Sequence, residues 1–123
     1  MLLFKQKFLT AIRAGEKTQT IRLGKSIRYR AGQRSYIPGA GYIRIEAVDE
    51  LPFESLTESD ALLDGFPSLA ALQTEIAAIY GQQPAQGLRV FRIRFALLPP
   101  DEQAQARAES QARKNKPLDS QTR

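Results

Sequence analysis

An α+β fold, a sheet curled into a small β-barrel with flanking helices, is the architecture this 123-residue sequence predicts. Three observations lead there. Short alternating apolar runs mark separate strands, and helical periodicities are interleaved among them without a regular strand–helix alternation. A chain of this length also has room for a single hydrophobic core.

The elements follow in order. Phe4, Phe8, Leu9 and Ile12 recur at i, i+4, i+5 and i+8, one face of a helix beginning near Lys5, with a short strand possible over residues 1–4. Gly15 stands where a left-handed cap belongs. Residues 18–23 carry β-branched side chains in alternation and read as a strand leaving a tight turn. Residues 25–30 are basic and irregular and read as a loop. A hairpin follows, with strands over 33–37 and 42–48 around Pro38-Gly39-Ala40-Gly41. In its second strand Ile43, Ile45 and Ala47 share one face.

Thr57 with Asp60 three residues on has the form of a capping box for a short helix ended by Gly65. Ser68 opens a longer helix whose apolar positions are Leu69, Leu72, Ile76, Ile79 and Tyr80, closed by Gly81. Phe91, Ile93 and Phe95 alternate with Arg92 and Arg94 in a final strand. Pro99-Pro100 marks an edge, so residues 1–98 form the domain. Residues 99–123 read as a disordered or transiently helical tail, because Leu118 is the only branched aliphatic residue beyond Pro100.

Composition narrows the chemistry. Hydrophobic residues at 42% and charged residues at 25% are ordinary for a folded domain. No apolar run approaches the roughly 20 residues needed to cross a bilayer. Charge at Lys5 and Lys7 interrupts any leader-like stretch, so a cytoplasmic location is expected. The chain has no cysteine and no histidine. This excludes disulfides, thiolate nucleophiles, His/Cys zinc sites and histidine-based triads. No metal and no cofactor are expected. The formal net charge is +5, and up to Arg44 ten basic residues are opposed only by Glu16. Such clustering suits an anionic partner such as nucleic acid, although charges dispersed over several solvated faces give the same count.

Within residues 18–22, Thr18, Thr20 and Arg22 point to one face of the strand and Gln19 and Ile21 to the other. Two hydroxyls and a guanidinium make a surface suited to a phosphate or carbonyl oxygen. Lys17 can join them only if the preceding turn bends. Threonines and charges on a strand also serve simply as β-formers and solubilising groups.

The run Ile12-Arg13-Ala14-Gly15-Glu16-Lys17-Thr18-Gln19-Thr20-Ile21-Arg22 resembles the signature of the ASCH domain family. That signature is an apolar helix, Gly-x-Lys-Thr-x-Thr-x-Arg, and a short segment ending in Gly-Asp before a strand. Gly32-Gln33 stands in the last place here, with glutamine for aspartate. Leu56-Thr57-Glu58, Asp64-Gly65-Phe66 and Tyr80-Gly81 are similar to the family's second half. The likeness spans about residues 4 to 95.

It implies a PUA-like β-barrel with a cleft for RNA or a nucleoside. Some compact bacterial members are amidohydrolases acting on N(4)-acetylcytidine through the motif lysine, its second threonine and a later glutamate. Those positions fall on Lys17, Thr20 and Asp64, an aspartate where the family has glutamate, with Arg22 as a supporting cation.

In such a site Thr20 would attack, Lys17 would take its proton, and Arg22 or backbone N–H groups would steady the oxyanion. Lys17 must then have a lowered pKa, so Asp64 is expected to lie offset instead of pairing tightly with it. Thr18, Arg28, Arg30 and Arg44 complete the expected ligand-binding set. The partner is a nucleoside or single-stranded RNA, with no membrane partner. Two further functions fit the same residues: a non-catalytic RNA-binding module that uses the same cleft, favoured by a shallow basic groove extending over Arg28, Arg30 and Arg44, and a ribonuclease.

Overall fold

The computed structural model describes residues 1–81 and 87–114. Four strands, β1 (Gln19–Gly24), β2 (Arg34–Ile37), β3 (Gly41–Leu51) and β4 (Arg89–Leu97), form one antiparallel sheet in the order β1-β4-β3-β2. The last strand therefore inserts beside the first, with Thr20 opposite Ile93 and Arg22 opposite Phe91. β2 and β3 are the expected hairpin, pairing Arg34 with Arg44 and Tyr36 with Tyr42.

A 3-10 turn (Gln6–Phe8) leads into the short helix α1 (Leu9–Arg13), and the N-terminal residues before it form no strand. α2 (Glu58–Leu63) starts at the predicted capping box, in which Thr57 and Asp60 satisfy each other's backbone N–H groups. It ends in a Schellman arrangement, with Gly65 N–H donating to Leu62 O and Phe66 N–H to Ala61 O. Gly65 sits at φ +90°, open to glycine and strained for other residues. α3 (Leu69–Tyr80) is capped by the Ser68 hydroxyl. No helix among the described residues is long and apolar enough to cross a membrane.

The apolar residues gather into two clusters. Leu2, Ile12, Ile43, Ile45, Ile93 and Phe95 are central to the first, which joins α1 to the hairpin side of the sheet. Ile21, Leu56, Ala61, Leu72, Ile76 and Val90 form the second, beneath α2 and α3. Phe8 packs on the first and Phe66 on the second, so the seam between the clusters is lined by aromatic rings.

Three expectations are corrected. The sheet is open: β1 and β2 are its edges, and the helices cover its apolar surface where a barrel would close on itself. The second hairpin strand does not alternate evenly. A bulge between Ile45 and Ala47 brings Val48, not Ala47, opposite Ile93 and onto the first cluster.

The third correction concerns the tail, of which residues 100–114 form a helix, α4 (Pro100–Lys114), docked on the sheet. Ala106 is wholly buried. The Gln103 carboxamide accepts from Tyr42 N–H and donates to the carbonyls of Tyr42 and Leu98, completing the ladder where β4 ends. Arg34 pairs with Glu109 and Arg44 with Glu102. The signal was polar: a glutamine and two glutamates replace the aliphatic residues whose absence suggested disorder. Residues 115–123, the rest of the expected tail, lie outside the described residues.

Candidate functional site

Lys17 lies in the turn between α1 and β1. The N–H groups of Glu16 and Lys17 both donate to Ala11 O, folding the chain back over the end of α1. Thr18 N–H then donates to Leu63 O, tying the start of β1 to the end of α2. This is the bend that lets Lys17 and Thr20 face the same space. Both line a cavity of about 160 Å³ at the seam of the two clusters, together with Arg22 and Asp64. Its walls include Phe4, Phe8, Phe66 and Tyr80.

At the floor, the Lys17 ammonium, 2% exposed, donates to the Asp64 side chain and to the Asp64 carbonyl. It donates also to Gln19 O at 3.0 Å. The other Asp64 oxygen accepts from Ile21 N–H at 3.3 Å. The expectation that Asp64 would be offset is thus overturned. The Schellman turn points its short side chain directly at Lys17, and a Cβ on Gly65 would come within 3.4 Å of Lys17 Cδ. Phe8 lies 4.7 Å, Phe4 5.4 Å and Phe66 6.0 Å from the ammonium, ring centroid to Nζ, so three hydrogen bonds and three aromatic rings surround the charge.

Burial dominates the ionisation of this pair. It pushes the Asp64 carboxyl up to about 6, against the pull of Lys17, the Ile21 N–H and Arg22. It lowers the Lys17 ammonium, with Asp64 opposing and Arg22 adding to the effect. Burial thus disfavours the charged form of both groups, while each charge supports the other.

Arg22 shapes the neighbouring wall. Its Nε donates to Thr20 Oγ1 at 3.0 Å, and Nη2 donates to Leu3 O at 2.6 Å. Its guanidinium packs 4.8 Å from the Phe4 ring centroid. Since Oγ1 accepts from a cation, its own proton is free to leave toward another acceptor.

Lys17, Thr20, Arg22 and Asp64 are brought together. Thr18 stays outside the cavity, its N–H and C=O used by Leu63 and Phe95. Arg28, Arg30 and Arg44 are exposed and do not line it; Arg44 faces Glu102.

Several site residues were not singled out in sequence. Phe4 and Phe8 have the spacing of a core stripe, and they do pack on the core while also walling the cavity. Glu75 lines the rim and pairs with Lys5 at 2.8 Å and Lys7 at 3.3 Å. It is the one charged residue of α3, a signal available in the sequence. Behind the site, Gln19 donates to Asp60, which also accepts from Arg92 Nη1 at 3.0 Å. Burial would raise the Asp60 carboxyl, but bonds from the Thr57 backbone, Gln19 and Arg92 hold it below its usual value. No cluster of three or more His, Cys, Asp or Glu side chains able to hold a metal ion occurs among the described residues.

No protein-family model and no curated protein sequence matches the chain. Solved structures do. An ASCH domain from Lactobacillus crispatus JV V101 superposes with a TM-score of 0.61 at 17% identity, over 72% of this chain and 68% of that one. The hypothetical protein PH0355 gives a TM-score of 0.65 at 15% identity, over 78% of this chain and 95% of that one. The protein EF3133 from Enterococcus faecalis V583 gives 0.58 at 18% identity, over 75% and 70%. The chain has the fold of an ASCH domain, with its sheet open.

Proposed function

We propose that this ASCH-type fold serves the hydrolysis of an amide on a modified nucleoside such as N(4)-acetylcytidine, with Lys17, Thr20 and Asp64 as the catalytic residues. One observation carries the reading: a buried Lys17–Asp64 pair on the floor of an aromatic-walled cavity that also holds the Thr20 hydroxyl and the Arg22 guanidinium. The resemblance of residues 12–22 to the ASCH signature supports the same assignment.

Thr20 Oγ1 attacks the acyl carbon, and its proton passes to Lys17. Lys17 can receive it because the pair's shared proton can reside on Asp64, leaving the amine neutral. Arg22 steadies the negative charge developing at the reacting oxygens. The carbon–nitrogen bond then breaks, and the leaving amine takes the proton from Lys17. Water attacks the acyl-threonine, gives its proton to the pair, and releases acetate with the Thr20 hydroxyl restored.

A cavity of about 160 Å³ suits a single ring, since an engineered cavity of about 150 Å³ takes up benzene. Phe4, Phe8 and Phe66 provide faces for the base, whether in a free nucleoside or splayed out of single-stranded RNA. The alternative, a non-catalytic RNA-binding module using the same cleft, finds less support because Arg28, Arg30 and Arg44, which would extend the cleft as a basic groove, do not line the cavity. No specific observation favours a ribonuclease.

The test is incubation of the purified protein with N(4)-acetylcytidine and, separately, with a short acetylated RNA, followed chromatographically. Release of cytidine and acetate is expected from the nucleoside. Intact substrate in both arms overturns the proposal.

A further inference from the structure

The reacting groups lie at the bottom of the Lys17 cavity, and its opening has a chemistry of its own. Lys17, Thr20 and Asp64 are each 5% exposed or less. Leu3 and Ile79, which line the same cavity, are 63% and 53% exposed. The mouth therefore opens between the N-terminal segment and α3.

On α3 the residues facing the cavity are Leu72, Glu75, Ile76, Ile79 and Tyr80, so Glu75 puts a carboxylate into an apolar stripe. Its side chain is 16% exposed. Lys5 donates to one carboxylate oxygen at 2.8 Å and Lys7 to the other at 3.3 Å. Both lysine side chains are more than half exposed, and ion pairs so open to water add little to stability. Fastening the N-terminal segment is thus a weak reason for an acid at this position. That segment is held independently by Leu2 in the core and by bonds from Arg22 to Leu3 O and from Tyr29 to Met1 O.

The hydrogen bond from Lys5, with Lys7 adding to it, holds the Glu75 carboxyl below its usual value against a smaller effect of burial. The group is ionised at neutral pH and can only accept. Each oxygen is engaged by one lysine and keeps a lone pair for another donor.

The proposed hydrolysis, on which this inference rests, fixes what reaches the mouth. The acyl group is carried on the amine at C4 of the ring, and it must meet Thr20 and Lys17 at the floor. N1, which bears the sugar, lies across the ring from C4. About 160 Å³ holds a single ring and leaves no room for a furanose, so the sugar lies at the mouth. There the side-by-side oxygens of Glu75 match a pair of vicinal hydroxyls.

We infer that Glu75 is a specificity-determining residue that accepts hydrogen bonds from the 2′- and 3′-hydroxyls of the ribose, so that the site takes a cytidine with a free diol. Lys5 and Lys7 hold the acceptor in place before the sugar arrives, which limits the cost of ordering it. Inside an RNA chain the 3′-oxygen is esterified and has no proton to donate. The diol survives in a free ribonucleoside and at the 3′ end of an RNA.

The experiment is calorimetric titration of the full chain with cytidine, 2′-deoxycytidine and cytosine, which cannot be turned over. A hydroxyl bound to a charged acceptor contributes about tenfold to affinity. Cytidine is expected to bind about tenfold tighter than 2′-deoxycytidine, with cytosine weaker again. In Glu75→Ala the ratio of cytidine to 2′-deoxycytidine affinity should fall to about one. Glu75→Gln, which keeps one oxygen acceptor, should retain part of it, and melting temperatures verify both folds. If Glu75 only supports the structure, its loss weakens all three ligands alike and leaves the ratio, and that result overturns the inference. Equal binding of cytidine and 2′-deoxycytidine by the wild type does the same.

Turnover separates the inference from the chemistry beneath it. Free N(4)-acetylcytidine should be hydrolysed, and the same residue inside a short RNA should stay intact. Hydrolysis at an RNA 3′ end as well makes such ends a second source of the diol; hydrolysis of the nucleoside alone leaves one source. Equal hydrolysis of the internal residue overturns the inference and leaves the proposed chemistry standing. Ribose-dependent binding with no turnover keeps the diol site and removes the chemistry. If cytidine does not bind, both fall.

Discussion

Lys17 and Asp64, 47 residues apart, are joined twice: one ammonium donates to both the side chain and the backbone carbonyl of the same aspartate. The contact fastens the α1–β1 turn to the end of α2 and closes the floor of the cavity. Both residues are almost completely buried, so the pair is a structural member as well as a chemical one. Removing one partner leaves the other charge stranded in an apolar site.

Lys17→Met should therefore cost about 3–5 kcal/mol where Asp64 is ionised. The sign of the pH dependence is set by Asp64, whose carboxyl rises from 3.8 to about 6 on folding. A carboxyl raised on folding contributes stability that is complete below 3.8 and is lost as the pH rises through about 6. Without the ammonium, burial drives the carboxyl higher still. The deficit in melting temperature of Lys17→Met should thus be small near pH 5 and large near pH 8. An equal deficit at both would show that Asp64 does not titrate in this range.

Turnover should fall in acid for the same reason. The working form of the pair carries one proton, and a second, taken up on Asp64 at about 6, leaves Lys17 charged and unable to accept from Thr20. The rate is expected to drop about tenfold for each pH unit below that value. A profile flat down to about pH 4 would remove Asp64 from the proton path.

The helix at the C-terminal side gives a stability prediction. Gln103→Ala deletes three hydrogen bonds to the backbone of Tyr42 and Leu98. A loss of about 1–3 kcal/mol is expected, or at least about 4 °C in melting temperature. Thermal denaturation followed by circular dichroism checks it; an unchanged midpoint would mean that α4 contributes nothing to the fold.

What could be read in the sequence were the features that local physics determines. Thr57 and Asp60 announced α2, Ser68 announced α3, and Phe91, Ile93 and Phe95 marked β4 on the core, because caps and periodicity act within a few residues. The bulge after Ile45 was hidden, since an inserted residue shows only against a partner strand. α4 was hidden because its docking relies on Gln103 and paired glutamates, which look like tail composition until Tyr42 and Arg34 are known to face them. At the site, Lys17, Thr20, Arg22 and Asp64 were named and do meet. Their closeness was misjudged: the pKa argument for keeping Asp64 away gave burial too little weight, and burial lowers Lys17 even against a touching carboxylate.

The most direct test of the catalytic reading is the turnover of Thr20→Val on N(4)-acetylcytidine beside the wild type. Valine keeps the shape and removes the nucleophile, and the unchanged Lys17–Asp64 pair should hold the fold, as the melting temperature will record. The expected result is acetate release by the wild type and a loss of at least about a hundredfold in the variant. Equal release by the two proteins, or none by the folded wild type, would contradict the role assigned to this cavity.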